Sequence, residues 1–242
     1  MNFACWICGS AANSREHRIK KSDLKLLFPK TSQQTPLYTR EMDSGKIVSI
    51  GSLKSDKLKW KSGLCHDCNT NRTRDYDMAW MHLSTYLQTH TNLAITRIKL
   101  KNVFPGSINE SMLNVHLFFN KVVGCLIADH SAPIPLTPFR TAILESLPNP
   151  YLQLGFGVLR KKAPNQAFIT PMQALNAGGI IEFANCHYTI KQVFVDIVYT
   201  RRTEFLRVAN DTWHPNTRAK ILRLSTLRVN HQILPRTRIS YP

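Results

Sequence analysis

Apolar positions change period about two thirds of the way along the chain. From Asn69 to about Gln88, Tyr76, Trp80, Leu83 and Leu87 recur at intervals of 4, 3 and 4, which predicts a helix with one buried stripe. Upstream, Ser22 offers a cap for a short helix over "DLKLLF", ended by Pro29, while "KIVSI" and "LKWKSGL" have the make-up of short strands. "KNVFPGSIN" is rich in turn formers. A second amphipathic helix is expected beyond it, from Glu110 to Asp129, with Asn109 as its cap. "ADHSAPIPLTP" reads as a loop, and Thr137-Pro138 as a helix start with cap and N1 proline in order. From Tyr151 the pattern turns β-like. "YLQLGFGVLR", "GIIEF" and "HYTIKQVFVDIVY" are rich in β-branched and aromatic residues. A short basic helix over about Thr217 to Leu227 and a proline-containing tail complete the pattern. The expected class is α+β in two parts. Residues 1–100 are bracketed by cysteine pairs, and residues 101–242 form a basic mixed α+β unit suited to binding nucleic acid or a protein partner.

Charge narrows the partner. The 242 residues carry 32 Lys and Arg against 15 Asp and Glu, a formal charge of +17. Such an excess repels itself in the folded state, so a polyanion is expected nearby, nucleic acid first and DNA foremost. After Asp211 no acidic residue follows, yet Arg218, Lys220, Arg223, Arg228, Arg236 and Arg238 do. That stretch reads as an arm along a phosphate backbone, or as a helix docked through Ile221, Leu222, Leu224 and Leu227 with its charges solvated. No membrane span is expected, because the most apolar stretch, Met112 to Ala128, contains Asn114, His116, Asn120 and Lys121. Cys5 opens a patterned motif where the apolar core of a leader would lie. A cytoplasmic protein is therefore expected, whose cysteines bind metal rather than form disulfides.

Four of the six cysteines form two C-x2-C pairs, Cys5/Cys8 and Cys65/Cys68, with 56 residues between the pairs. Two residues between thiolates let both reach one tetrahedral ion, and two such knuckles close a structural zinc site. The competing reading is two unrelated pairs of buried cysteines. His66 lies inside the second knuckle but is surplus to four thiolates. Cys125 and Cys186 sit among apolar residues, as core cysteines do. Asp129-His130 is an acid–histidine pair without companions.

Glu16-His17 follows the first knuckle, and Asn69 directly follows the second. In type and order, Cys5, Cys8, Glu16, His17, Cys65, Cys68 and Asn69 resemble the motif of the HNH (ββα-metal) endonucleases. The likeness is to their four-cysteine zinc branch, which includes phage Holliday-junction resolvases, and it covers residues 3 to about 80. The resemblance implies a zinc-stabilised ββα-metal domain that hydrolyses phosphodiesters. His17 would be the general base, since an imidazole can deprotonate water near neutral pH. Glu16 and Asn69 would supply oxygen ligands to one Mg²⁺ or Mn²⁺ ion that offsets charge on the phosphate. Asp77, eight residues past Asn69, is the candidate third ligand. Asp75 is the alternative to it, Asn71 could replace Asn69, and a solvated helix carboxylate is the plainer account of Asp77. Arg15, Arg18, Lys20, Lys21, Arg72 and Arg74 would touch phosphates or form a solvated basic face. Two departures from the family stand out: 47 residues separate His17 from Cys65, and neither 77 nor 78 is histidine. The expected activity is a DNA endonuclease used in phage defence, restriction or a mobile element. The alternatives are a zinc-stabilised nucleic-acid-binding protein that does not cut, and an RNase on the same fold.

Overall fold

The predicted stripe is the seam along which the molecule is assembled. A computed structural model describes residues 4–40, 45–90, 96–159, 165–177, 180–202 and 212–227. Within them, α2 (Arg74–His90) buries Tyr76, Trp80, Leu83 and Leu87 against α3 (Ile108–His130). The Trp80 ring stacks on Phe118 at 5.5 Å and meets Phe119 edge-on at 4.7 Å. Ahead of α2 come α1 (Lys21–Leu27) and a hairpin of β1 (Leu37–Arg40) with β2 (Ile47–Ile50). Behind α3 comes α4 (Thr137–Glu145), the last of four α-helices among the described residues.

By length and apolar composition α3 would suffice to cross a membrane, but most of its apolar window is buried inside this protein. Three of its polar residues find partners there, though His116 Nδ1 has none among the described residues. The Asn120 amide donates to the Phe139 carbonyl, the Asn149 N–H donates to His116 Nε2, and Lys121 finds two carboxylates. The helix starts two residues earlier than the pattern suggests: Ser107, not Asn109, is the cap, its Oγ accepting from the Glu110 N–H. It also runs on through His130, one residue past the expected end at Asp129.

The β-rich part is a sheet built on β4 (Leu152–Leu159), β7 (Ile180–Ile190) and β8 (Val193–Thr200), all antiparallel. β5 (Ala167–Ile169) and β6 (Gln173–Ala177) extend it on the β7 side, with β9 (Thr212–Trp213) and β11 (Ser225–Leu227) on the β4 side. The run "HYTIKQVFVDIVY" is not one strand. Lys191 takes a left-handed φ of 54° and turns it into the β7–β8 hairpin, while Ile180, Ile181, Glu182 and Phe183 open β7. Tyr188 on β7 meets the Trp80, Phe118 and Phe119 rings edge-on, which seats the sheet on the α2–α3 layer.

Other expectations are also corrected. Ser22 lies within α1, which begins at Lys21 without a side-chain cap. Thr137 is the first residue of α4 rather than its cap. "LKWKSGL" forms only isolated bridges, Lys59 with His17 and Leu64 with Ser14, after a 3₁₀ turn at Asp56–Leu58. The basic helix at the far end is absent among the described residues. In its place a 3₁₀ turn at Pro215–Thr217 precedes β10 (Ile221–Arg223), which pairs with β3 (Arg97–Lys99), and then β11, parallel to β4. Arg228, Arg236 and Arg238 lie outside the described residues. One buried cluster runs from Cys5 and Trp6 through α2 and α3 to β7 and β8, so the core continues across residue 100 without a break.

Candidate functional site

Both knuckles close at one point. The Sγ atoms of Cys5, Cys8, Cys65 and Cys68 all lie within 4.8 Å of one another. A tetrahedron with Zn–S bonds of about 2.3 Å has edges of about 3.8 Å, so the four thiols fit zinc. The first knuckle turns back on itself through the Gly9 N–H, which donates to the Cys5 carbonyl at 2.8 Å. Gly9 takes a φ of 81° there, which suits a residue without Cβ. In the second knuckle the Cys68 N–H donates to Cys65 Sγ at 3.3 Å. Hydrogen bonds from Ser10 bring the Cys8 thiol down to about 6, whereas burial pushes those of Cys65 and Cys68 up. His66 faces Thr70 and takes no part in the cluster.

The knuckle is fastened to α3 through Trp6. Its ring lies against Gly124, where a Cβ would come within 2.2 Å of it, and its Nε1 points at Cys125 Sγ at 3.4 Å. Arg140 on α4 donates to the Trp6 carbonyl.

Between the knuckles, residues 14–18 run antiparallel to 58–64 through the Trp60 N–H to the Glu16 carbonyl and the Arg18 N–H to the Leu58 carbonyl. Glu16 is buried and His17 half-buried. His17 Nε2 sits 2.9 Å from the Leu53 carbonyl. A carbonyl only accepts, so Nε2 carries the proton and Nδ1 keeps its lone pair. Burial holds the imidazole below its ordinary value of 6.5. The Leu53 carbonyl and Glu16 oppose that shift, while Lys59 and Lys21 reinforce it. His17 is thus neutral at pH 7, with one basic nitrogen to offer.

Glu16 turns the other way. Its Oε1 accepts from the His17 N–H at 3.0 Å, and its Oε2 accepts from Lys121 Nζ at 2.8 Å. Lys121 also donates to Asp77 Oδ1 at 2.8 Å and to Thr73 Oγ1 at 3.2 Å, and Asp77 Oδ2 pairs with Lys20 at 2.5 Å. The Lys121 side chain is fully buried. Burial alone would lower its affinity for a proton, but Glu16 and Asp77 outweigh burial and raise it, so it stays charged.

Asn69 lies in a π turn over Asp67–Asn71 that leads into α2. Its Oδ1 is buried and has no hydrogen-bond partner among the described residues. The Thr73 hydroxyl reaches the Asn69 carbonyl at 3.3 Å, and Thr73 in turn touches Lys121, so Asn69, Thr73, Lys121 and Glu16 form a chain of neighbours. A buried oxygen left without a donor suits a hard cation, and Mg²⁺ commonly takes one or two protein oxygens plus substrate phosphate. Asp77 does not fit as a further ligand while both its oxygens pair with lysines. Asn71 donates to Asp67, and Asp75 is exposed.

Of the six basic candidates, Arg15 pairs with Asp56 at 2.6 Å, Lys20 with Asp77, and Arg18 lies 5.4 Å over the Trp60 ring. Lys21, Arg72 and Arg74 are exposed. Sequence reasoning missed Lys121, Thr73, Lys59 and the Leu53 carbonyl. Only Lys121 left a trace, as a lone lysine in an apolar run, where a buried cation must have a partner.

The chain matches no protein-family model, no curated protein and no solved structure. The local chemistry is therefore the whole basis for a functional reading.

Proposed function

We propose that this chain is an HNH-type endonuclease that hydrolyses phosphodiester bonds in DNA. The observation that carries the reading is His17, whose Nε2–H is spent on the Leu53 carbonyl so that Nδ1 keeps a basic lone pair. In the reaction a water proton passes to Nδ1 as the water oxygen bonds to phosphorus, and the phosphorus–oxygen bond to the leaving sugar breaks, its electron pair going to the sugar oxygen, which takes a proton from solvent. A Mg²⁺ or Mn²⁺ ion held by Asn69 Oδ1 and Glu16 would offset the charge that develops on the phosphate. Structural zinc would hold the Asn69 turn against the Glu16–His17 strand. Lys21, Arg72 and Arg74, all exposed, would meet phosphates without reading sequence. Phage defence, restriction or a mobile element in the cytoplasm is the setting this activity suits. The β-rich half would add a surface for nucleic acid or a protein partner.

A second reading has its own observation. Glu16 and Asp77 are already ion-paired with lysines, as they would be in a zinc-stabilised module that grips nucleic acid without cutting. The two are separated by incubating purified protein with plasmid, linear DNA and RNA in Mg²⁺, Mn²⁺ or EDTA, beside His17→Ala. The nuclease reading expects DNA cleavage that needs the divalent ion. It expects His17→Ala to lose about 10²- to 10⁴-fold in rate with zinc and binding retained. The rate should climb to a plateau as pH passes a value below 6.5, because burial favours the neutral imidazole. Cleavage of RNA alone would change the substrate to RNA. A His17→Ala protein that cuts as fast as wild type would remove the assignment in favour of the binding module.

A further inference from the structure

Lys121 is the least expected group at the site. It comes from the middle of α3, 105 residues from Glu16, and no part of its side chain is exposed. An ammonium has three protons to donate, and here all three are used, on Glu16 Oε2, Asp77 Oδ1 and Thr73 Oγ1. The carboxylates are committed too, but unequally: Asp77 faces two ammoniums, and Glu16 one ammonium and a backbone N–H. Glu16 Oε1 takes the His17 N–H and Asp77 Oδ2 takes Lys20, so each of the four oxygens has a donor. Two carboxylates this close, one of them buried, need a cation to remain charged. A divalent ion bridging them is one solution, and a lysine is another with a different consequence. Lys121 and Lys20 together balance the pair's two charges, yet Lys121, with its protons spent and no exposure, cannot touch a phosphate.

We infer that Lys121 is a built-in cation of the Glu16–Asp77 pair that keeps Asp77 out of the divalent-ion shell and orients Glu16 towards it. This rests on the proposed nuclease reading for the roles of Glu16 and Asn69. An ion bridging both carboxylates would have to displace an ammonium whose three donors are satisfied, or sit against it as a like charge. The divalent site of the wild-type chain is therefore lean, with Asn69 and Glu16 as its protein ligands, and its affinity is set by a residue that never touches the ion. Removing the charge at 121 turns the pair into a richer, more acidic site.

The test reads Mn²⁺ binding by electron paramagnetic resonance on zinc-loaded, full-length protein without nucleic acid. Asp77→Asn should hold Mn²⁺ within about threefold of wild type, because Asp77 already belongs to the lysines. Lys121→Met should bind Mn²⁺ at least ten times more tightly. Should it be unstable alone, Mn²⁺ should raise its melting temperature more than it raises that of wild type. Glu16→Gln/Lys121→Met, which leaves no unpaired charge at Glu16, should fold and lose the gain. A tenfold loss of Mn²⁺ affinity in Asp77→Asn would make Asp77 a ligand and overturn the inference. So would a Lys121→Met protein that neither binds Mn²⁺ more tightly nor gains stability from it. Failure of the wild-type protein to cut any substrate would instead count against the nuclease reading, and the binding comparison would stand apart from it.

Discussion

Asp23 should make this protein lose stability as pH rises through 6, in the opposite sense to its buried histidines. The carboxylate is 2% exposed on α1 and accepts from Trp80 Nε1 at 2.8 Å, Ser84 Oγ at 2.7 Å and the Tyr188 hydroxyl at 3.0 Å. Burial drives its pKa up from 3.8 to about 6, against those three hydrogen bonds and the charge of Lys20. The folded chain thus holds the proton more tightly than the unfolded chain does. The stabilisation is complete below the unfolded value of 3.8 and is lost as pH climbs through the folded value of about 6. Roughly two pKa units correspond to about 3 kcal/mol in all, of which about 2 kcal/mol falls between pH 4.5 and 7.5. Asp23→Asn removes the titration and keeps an acceptor for the Trp80 N–H. Urea unfolding followed by tryptophan fluorescence at pH 4.5, 5.5, 6.5 and 7.5, for both proteins, gives the difference in stability at each pH. His17, His116 and His214, which burial holds below 6.5, act the other way, their contribution being lost as pH falls. They are common to both proteins and cancel in the difference. Wild type should lose about 2 kcal/mol relative to Asp23→Asn from pH 4.5 to 7.5. A difference that stays flat over that range would refute the reasoning.

Two further outcomes test how the first third is held together. Elemental analysis of protein purified without chelator should find one zinc per chain, and Cys65→Ser should lose it together with the order of the N-terminal third, since thiolate zinc contributes directly to folding. Gly124→Ala would place a methyl within 2.2 Å of the Trp6 ring, and overpacking of this kind costs about 1 to 3 kcal/mol. It should lower the urea midpoint and speed zinc loss to a chromogenic chelator, whereas unchanged zinc release would mean the knuckle does not depend on Trp6.

What the sequence revealed follows the range of the forces involved. The α2 stripe, the cysteine doublets and the β-rich second half were legible because each is a local pattern, and all four stripe residues are buried as the period requires. Helix ends were less so. Ser107 and Asn109 are both good caps, and only the backbone decides between them. The stretch 217–227 reads as a helix from its composition alone, but pairing with β3 and β4 stretches it into two short strands. That is tertiary context overriding local preference. "LKWKSGL" fails in the reverse sense: it has a strand's make-up but meets its neighbour only at single bridges. The carboxylate–lysine cluster was illegible as a cluster because its members lie at 16, 20, 77 and 121, and nothing near Lys121 in sequence names its partners.

Gly124 and Lys121 stand three residues apart on α3, hence on neighbouring positions of one face. One receives Trp6 from the first knuckle and the other receives Glu16 from the strand that follows it. Together they act as two dowels that fix both the rotation and the height of a 23-residue rod against the N-terminal segment. Inserting a single residue between them would turn one dowel by about 100° relative to the other, so that both could no longer engage at once. Substitutions at such a joint are constrained to travel in company. A chain that gives up the lysine must also give up a carboxylate, and a chain that fills the glycine must shrink the tryptophan. The first third therefore cannot be lifted out and grafted elsewhere as a finished cassette, because the part that squares its charge and sets its alignment is encoded more than a hundred residues downstream.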